Sequence, residues 1–108
     1  MESNQPSPND CQVHTQIRSE HCARYLTTLC RHFSRKIEVE YNERQGVAYF
    51  PYGVCTLTLS EPDSLDIHCA AQTPEALSTV KQVLTSHMEM FAYRGDQFAI
   101  QWTQPASE

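Results

Sequence analysis

Histidine is the residue type that offers the most chemistry in this chain of 108 residues, which contains five of them. His32 lies near the end of the first predicted helix, and His87 lies on the apolar side of the second. If the two helices pack side by side, these imidazoles face each other across the seam between them. Two imidazoles can bind a metal ion, transfer a proton or bind an anion. We therefore predict that His32 and His87 contact a ligand, and that both are the metal ligands if a metal ion binds.

Three further side chains complete the predicted site. Tyr25 lies on the same flank of the first helix as His32, and Arg31 or Arg94 would meet an anionic ligand. The alternative for His87 is a structural role, because a buried imidazole without a hydrogen bond costs about 1–3 kcal/mol. Nothing in the sequence requires a cofactor.

The remaining histidines carry weaker hypotheses. His21 and His32 lie on one helix flank but about 16 Å apart at ~1.5 Å per residue, too far to share a metal ion. His14 and His68 would pair across the outer face of the sheet if their strands are neighbours. Two exposed polar positions are the favoured interpretation of that second pair.

Motifs and charge exclude several classes of function. The sequence has no HExxH, CxxC, GxGxxG, GxSxG or Walker lysine loop, which favours a non-enzymatic module. Thirteen acidic and eight basic residues give a net charge of −5, which argues against nucleic acid as a partner. No apolar run approaches the ~20 residues that a membrane span needs, so no membrane partner is expected. An odd number of cysteines and an N-terminus without the features of a signal peptide predict reduced thiols and a cytoplasmic location.

Hydrophobic periodicity predicts six strands and two helices. Alternating apolar residues indicate strands, and a stripe from Cys22 to Phe33 indicates a helix with Ser19 as its N-cap. Thr73, Pro74 and Glu75 form a strong start for the second helix. The predicted strands are 11–18, 37–41, 47–50, 54–60, 65–70 and 98–102.

These elements predict an α+β fold in the order β-α-β-β-β-β-α-β. Because each strand has one apolar face and each helix one apolar stripe, both helices should cover one face of a mostly antiparallel six-stranded sheet, giving a two-layer sandwich. The open, polar face could be a homodimer surface. We expect one domain over residues 10–103, with disordered tails at 1–9 and 104–108.

Several segments together resemble a known bacterial family, catalogued as domain of unknown function 2218, over residues 11–103. The segments are Arg24-Tyr25-Leu26, Leu29-Cys30-Arg31-His32-Phe33, Phe50-Pro51-Tyr52-Gly53, His87 through Arg94, and Trp102. The resemblance implies no established activity. It implies a link to iron handling, because this domain also occurs joined to flavin-binding siderophore-interacting reductases, and a flavin reductase is therefore an expected partner.

Three hypotheses for function follow. The leading one is an accessory module that binds a small anionic ligand, a metal ion or a ferric siderophore at the helix seam. The second is a small metal-dependent or acid–base enzyme that uses His32 and His87. The third is a homodimeric interaction protein that uses the open sheet face.

Overall fold

The computed structural model describes residues 11–61, 63–92, 100, 102 and 103, and these residues form five strands and two helices. The elements in chain order are β1 (Cys11–Arg18), α1 (Cys22–Phe33), β2 (Glu38–Tyr41), β3 (Gln45–Phe50), β4 (Gly53–Glu61), β5 (Ser64–Ala71) and α2 (Pro74–Phe91). The predicted α+β class and both helices are confirmed. The predicted tails at 1–9 and 104–108 lie outside the described residues.

All five strands belong to one antiparallel sheet with the order β1-β5-β4-β3-β2. Strands β2 to β5 form a meander because each short turn returns the chain beside the strand it has just left. β1 forms the edge of the sheet next to β5, with which it pairs in a register that sets Val13 opposite Cys69.

Both helices cover the same face of this sheet, as the sequence predicts. In β1 the side chains at 13, 15 and 17 are buried, whereas those at 14, 16 and 18 are exposed. The buried face of the sheet forms one core cluster with the apolar stripes of α1 and α2. A half-buried alternation of this kind is the pattern of an antiparallel sheet with one solvated face.

The prediction of six strands is corrected to five within the described residues. The predicted sixth strand, 98–102, falls mostly outside them, and Ile100 and Trp102 are not part of a strand. Thr103 makes an isolated antiparallel bridge with His14, with backbone N–O distances of 2.8 and 2.7 Å. Among the described residues, this bridge is the contact that the C-terminal segment makes with the free edge of β1.

The two helices begin differently. Thr73 caps α2 as predicted, since its side chain accepts a hydrogen bond from the backbone N–H of Ala76 at 3.1 Å and Pro74 follows. α1 begins at Cys22, with His21 at the N-cap position and no side-chain cap. Ser19 instead accepts a hydrogen bond from the backbone N–H of His21 at 3.0 Å, so it stabilises the turn before the helix. Neither of these helices is long and apolar enough to span a membrane.

Candidate functional site

A cavity of about 470 Å³ opens at the point where the end of α1, the later part of α2 and the β3–β4 turn meet. Cavities of this volume are typical of small-molecule sites. Its lining combines three aromatic rings with two histidines and two cationic side chains. The lining residues are His32, Phe33, Arg35, Lys36, Ile37, Phe50, Pro51, Tyr52, Val83 and His87.

His32 and His87 lie together in this cavity. Their ring centroids are 4.9 Å apart and their planes are inclined by 53°. His32 comes from the last turn of α1 and His87 from the later part of α2, and both side chains are half-buried. The two helices therefore bring together His32 and His87, the pair of residues at which the sequence predicts a site. That these histidines contact a ligand stays a prediction.

The tautomer of His87 follows from its hydrogen bond. Its Nδ1 lies 2.7 Å from the carbonyl oxygen of Val83, which can only accept, so Nδ1 carries the proton. This is the backbone partner that a structural histidine needs. It also leaves the Nε2 of the neutral ring with a lone pair, which is the state of a histidine that can bind a metal ion or accept a proton.

The surroundings of His32 disfavour the protonated form of its ring. Partial burial lowers the pKa of His32 below its ordinary value of 6.5, and the nearby His87, Arg35 and Lys36 lower this pKa further. Arg35 and Lys36 follow the last turn of α1, where positive side chains are favoured by the helix dipole. The cavity therefore combines an imidazole pair with a cationic rim.

The opposite wall of the cavity is aromatic. Phe50 packs edge-on against Phe33, with centroids 5.3 Å apart, and stacks on Tyr52 at 5.5 Å with an angle of 21°. Phe50 and Tyr52 flank Pro51 in the turn between β3 and β4, where Phe50 pairs with Gly53. This wall offers flat apolar faces on which a planar ligand can stack.

The other predicted site residues lie elsewhere. Tyr25 is buried in the core, with its ring 6.3 Å from that of His21, and is not part of the cavity lining. Arg31 is exposed and does not line the cavity. Arg94 lies outside the described residues.

Sequence reasoning missed most of the lining. In the sequence, Arg31, His32, Arg35 and Lys36 form a cluster that can bind an anionic group, but cationic residues are common at helix C-termini. The aromatic wall had a weaker signal, a proline between Phe50 and Tyr52 in a predicted turn. Turn composition indicates a reversal of the chain, not the direction in which the flanking side chains point.

The donor set for a metal ion is small. No group of three or more His, Cys, Asp or Glu side chains is placed to hold a metal ion anywhere in the described part of the chain. The described lining supplies two imidazoles, so a bound ion would need ligands beyond these residues.

Two other surfaces carry polar side chains. His14 and His68 are direct cross-strand partners on the outer face. His68 Nε2 lies 2.9 Å from Gln12 Oε1, and His14 Nε2 lies 3.9 Å from Asp66 Oδ1. The homodimer through this face stays a prediction. A larger groove of about 790 Å³ beside the β2–β3 turn is lined by Thr27, Tyr41, Asn42, Glu43, Arg44, Gln45, Thr58 and Leu59, a set without histidine or cysteine.

The fold and the cavity together define the class of protein, a two-layer α+β domain with a histidine pair in a partly aromatic cavity between its helices. The chain belongs to the family described as "Uncharacterized protein conserved in bacteria (DUF2218)", whose sequence profile matches residues 14–103. The family resemblance seen in the sequence is thereby confirmed.

A solved structure shares this fold. The NMR structure of PA4090 from Pseudomonas aeruginosa superposes with a TM-score of 0.72 at 26% sequence identity, over 86% of this chain and 95% of that one. No curated protein matches the chain. The family description and the description of PA4090 state no activity and no ligand.

Proposed function

We propose that this protein is a non-enzymatic module that binds a small anionic ligand with a planar, aromatic part in the cavity between its helices. The observation that carries the proposal is the pairing of an aromatic wall with a cationic rim in one cavity of ligand size. A planar group would stack on Phe50 and Tyr52, while Arg35 and Lys36 attract its negative charge.

The lining favours binding over catalysis. Its described residues include no cysteine, serine, aspartate or glutamate, so they offer no carboxylate or thiol to act beside the imidazoles. An acid–base enzyme that uses His32 and His87 would have to work with the imidazole pair alone.

The family resemblance narrows the proposed ligand. If the module serves iron–siderophore metabolism together with a flavin reductase, then its ligand is a ferric siderophore, bound as an anionic complex with aromatic iron-binding groups. The cationic rim and the aromatic wall support that ligand class.

Thermal unfolding with matched small probes tests the proposal. 2,3-Dihydroxybenzoate carries a flat ring and a carboxylate, and catechol is its uncharged counterpart. A ligand that binds only the folded state adds about 2.7 kcal/mol of stability at 100 times its Kd. We expect 2,3-dihydroxybenzoate to raise the melting temperature and catechol to have little effect at the same concentration.

Charge variants locate the binding. The Arg35→Gln/Lys36→Gln double variant should lose the response, whereas Arg44→Gln, which removes a cation from the other groove, should keep it. An equal response to catechol, or an equal loss in the Arg44 variant, would show that the rim of this cavity does not select the anion.

A further inference from the structure

We infer that His32 and His87 together bind a transition-metal ion that enters the cavity already held by an anionic chelating ligand. The inference rests on the proposed function, because it specifies the class of anionic ligand. Four observations support it: the separation of the rings, the lone pair on His87, the small donor set and the positive rim.

The separation of the two rings fits a shared ion. A metal ion lies about 2.0–2.1 Å from an imidazole nitrogen, which places it about 3.2 Å from the ring centre. Two rings on one ion at bond angles between about 90° and 110° then have centres about 4.5–5.2 Å apart. The observed distance between His32 and His87 is 4.9 Å, so neither helix has to move to reach that separation.

The donor atoms fit as well. The hydrogen bond to the carbonyl oxygen of Val83 fixes the tautomer of His87 and leaves Nε2 to coordinate, the arrangement in which a second interaction orients a metal-binding histidine. Neutral imidazole is a ligand suited to zinc, copper, nickel and iron.

The described residues do not complete the coordination of the ion. No third histidine, cysteine or carboxylate among the described residues joins the pair. A chelating ligand with several donor atoms would fill the remaining positions, and a cavity of about 470 Å³ has room for one.

The charge of the rim selects the form in which the metal arrives. Arg35 and Lys36 line the same cavity and repel a bare divalent cation. A chelate in which carboxylates outweigh the charge of the ion is negative overall and is attracted by the same side chains. The pocket therefore favours a metal complex over the free ion.

Two nickel chelates separate coordination from charge. Ni(II)–nitrilotriacetate is anionic and leaves two neighbouring coordination positions free, which matches two imidazoles. Ni(II)–EDTA is also anionic but has no free position. With untagged full-length protein in titration calorimetry, we expect Ni(II)–nitrilotriacetate to bind at least about tenfold more tightly than Ni(II)–EDTA.

Histidine variants identify the coordinating pair. His32→Gln and His87→Gln should each weaken Ni(II)–nitrilotriacetate binding at least about tenfold. His14→Gln, which breaks the other histidine pair of the fold, should leave it unchanged. If the variants fail to fold, imidazole signals in the NMR spectrum of the wild-type protein with the diamagnetic Zn(II)–nitrilotriacetate give the same information, with shifts confined to His32 and His87.

The outcomes distinguish this inference from the proposed function. Equal affinity for the two nickel chelates, or retained affinity in the His32 and His87 variants, would overturn the coordination and leave anion binding standing. If neither chelate binds but 2,3-dihydroxybenzoate raises the melting temperature, the coordination is likewise overturned and anion binding stands. If neither chelate nor 2,3-dihydroxybenzoate binds, both proposals fail.

Discussion

Gly46 sets how closely α1 approaches the sheet, and enlarging it should push the helix away. A methyl group added at Gly46 would overlap the Cys30 sulfur of α1 and lie 3.2 Å from Cβ of Tyr41. Cys30 is fully buried, so its sulfur has no open space to move into. The backbone at Gly46 has a conformation open to any residue, so the effect of alanine is steric.

The expected cost of Gly46→Ala follows from two opposing terms. Overpacking a core typically costs about 1–3 kcal/mol, whereas replacing glycine in a strand recovers about 0.5–1 kcal/mol of backbone entropy. The net loss should be about 1–2 kcal/mol. For a domain of this size, each kcal/mol shifts the melting temperature by about 4–8 °C, so calorimetry should show a decrease of about 5–15 °C.

A second variant provides the decisive control. Cys30→Ala alone should also destabilise the protein, because it leaves a small cavity in the core. Combined with Gly46→Ala, it removes the sulfur that the new methyl group meets. The double variant should therefore be more stable than the sum of the single changes predicts, with a coupling of about 1 kcal/mol or more. Strict additivity would mean that Gly46 and Cys30 do not limit the approach of α1.

Three further predictions concern single residues. The pKa of His32 is lowered from 6.5 in the folded state, so the folded protein binds a proton there less readily than the unfolded chain does. Stability should therefore fall as the pH decreases from about 6.5. His32→Gln should flatten this part of the curve of melting temperature against pH. Burial raises the pKa of the Cys30 thiol to about 11, and Cys11 is the one cysteine that is half-buried rather than buried. A thiol reagent should therefore label one cysteine of the native protein and none after Cys11→Ser. Labelling of more than one cysteine would show that the core opens. Thr73→Ala should lower the free energy of unfolding by about 1 kcal/mol because it removes the cap of α2, and Thr73→Ser should lower it much less. Equal melting temperatures for the two variants would contradict the capping role.

The fold class could be read from the sequence because period-two and helical patterns report which side of each element is buried. The alternation around Val13 and the cap at Thr73 are local signals, and both are confirmed. Strand order depends on which edges pair across the molecule, and β1 could have joined either edge of the meander. The alternation at 98–102 predicts a further strand, but most of that segment lies outside the described residues, among which Thr103 bridges to His14.

Part of the candidate site could also be predicted from the sequence, because the same patterns show which side of a helix is apolar. His87 stood out because an imidazole on an apolar helix face needs a partner, and its hydrogen bond to Val83 supplies one. The proximity of His32 to His87 required the assumption that the helices lie side by side. Phe50 and Tyr52 reach the cavity through the geometry of a turn, which residue types alone do not specify.

Two glycines of the sheet explain why the histidines of the cavity can hold a fixed separation. A methyl group at Gly53 would lie 2.7 Å from the carbonyl oxygen of Ala70 and 2.9 Å from Cγ2 of Val80 on α2. Gly53 thus positions α2 against the sheet, as Gly46 positions α1. Because side chains of each helix pack against one of these glycines in the core, close packing locates the two histidine rings that the helices carry. A site organised in this way binds its ligand without first ordering the elements that carry it, which reduces the entropic cost of binding.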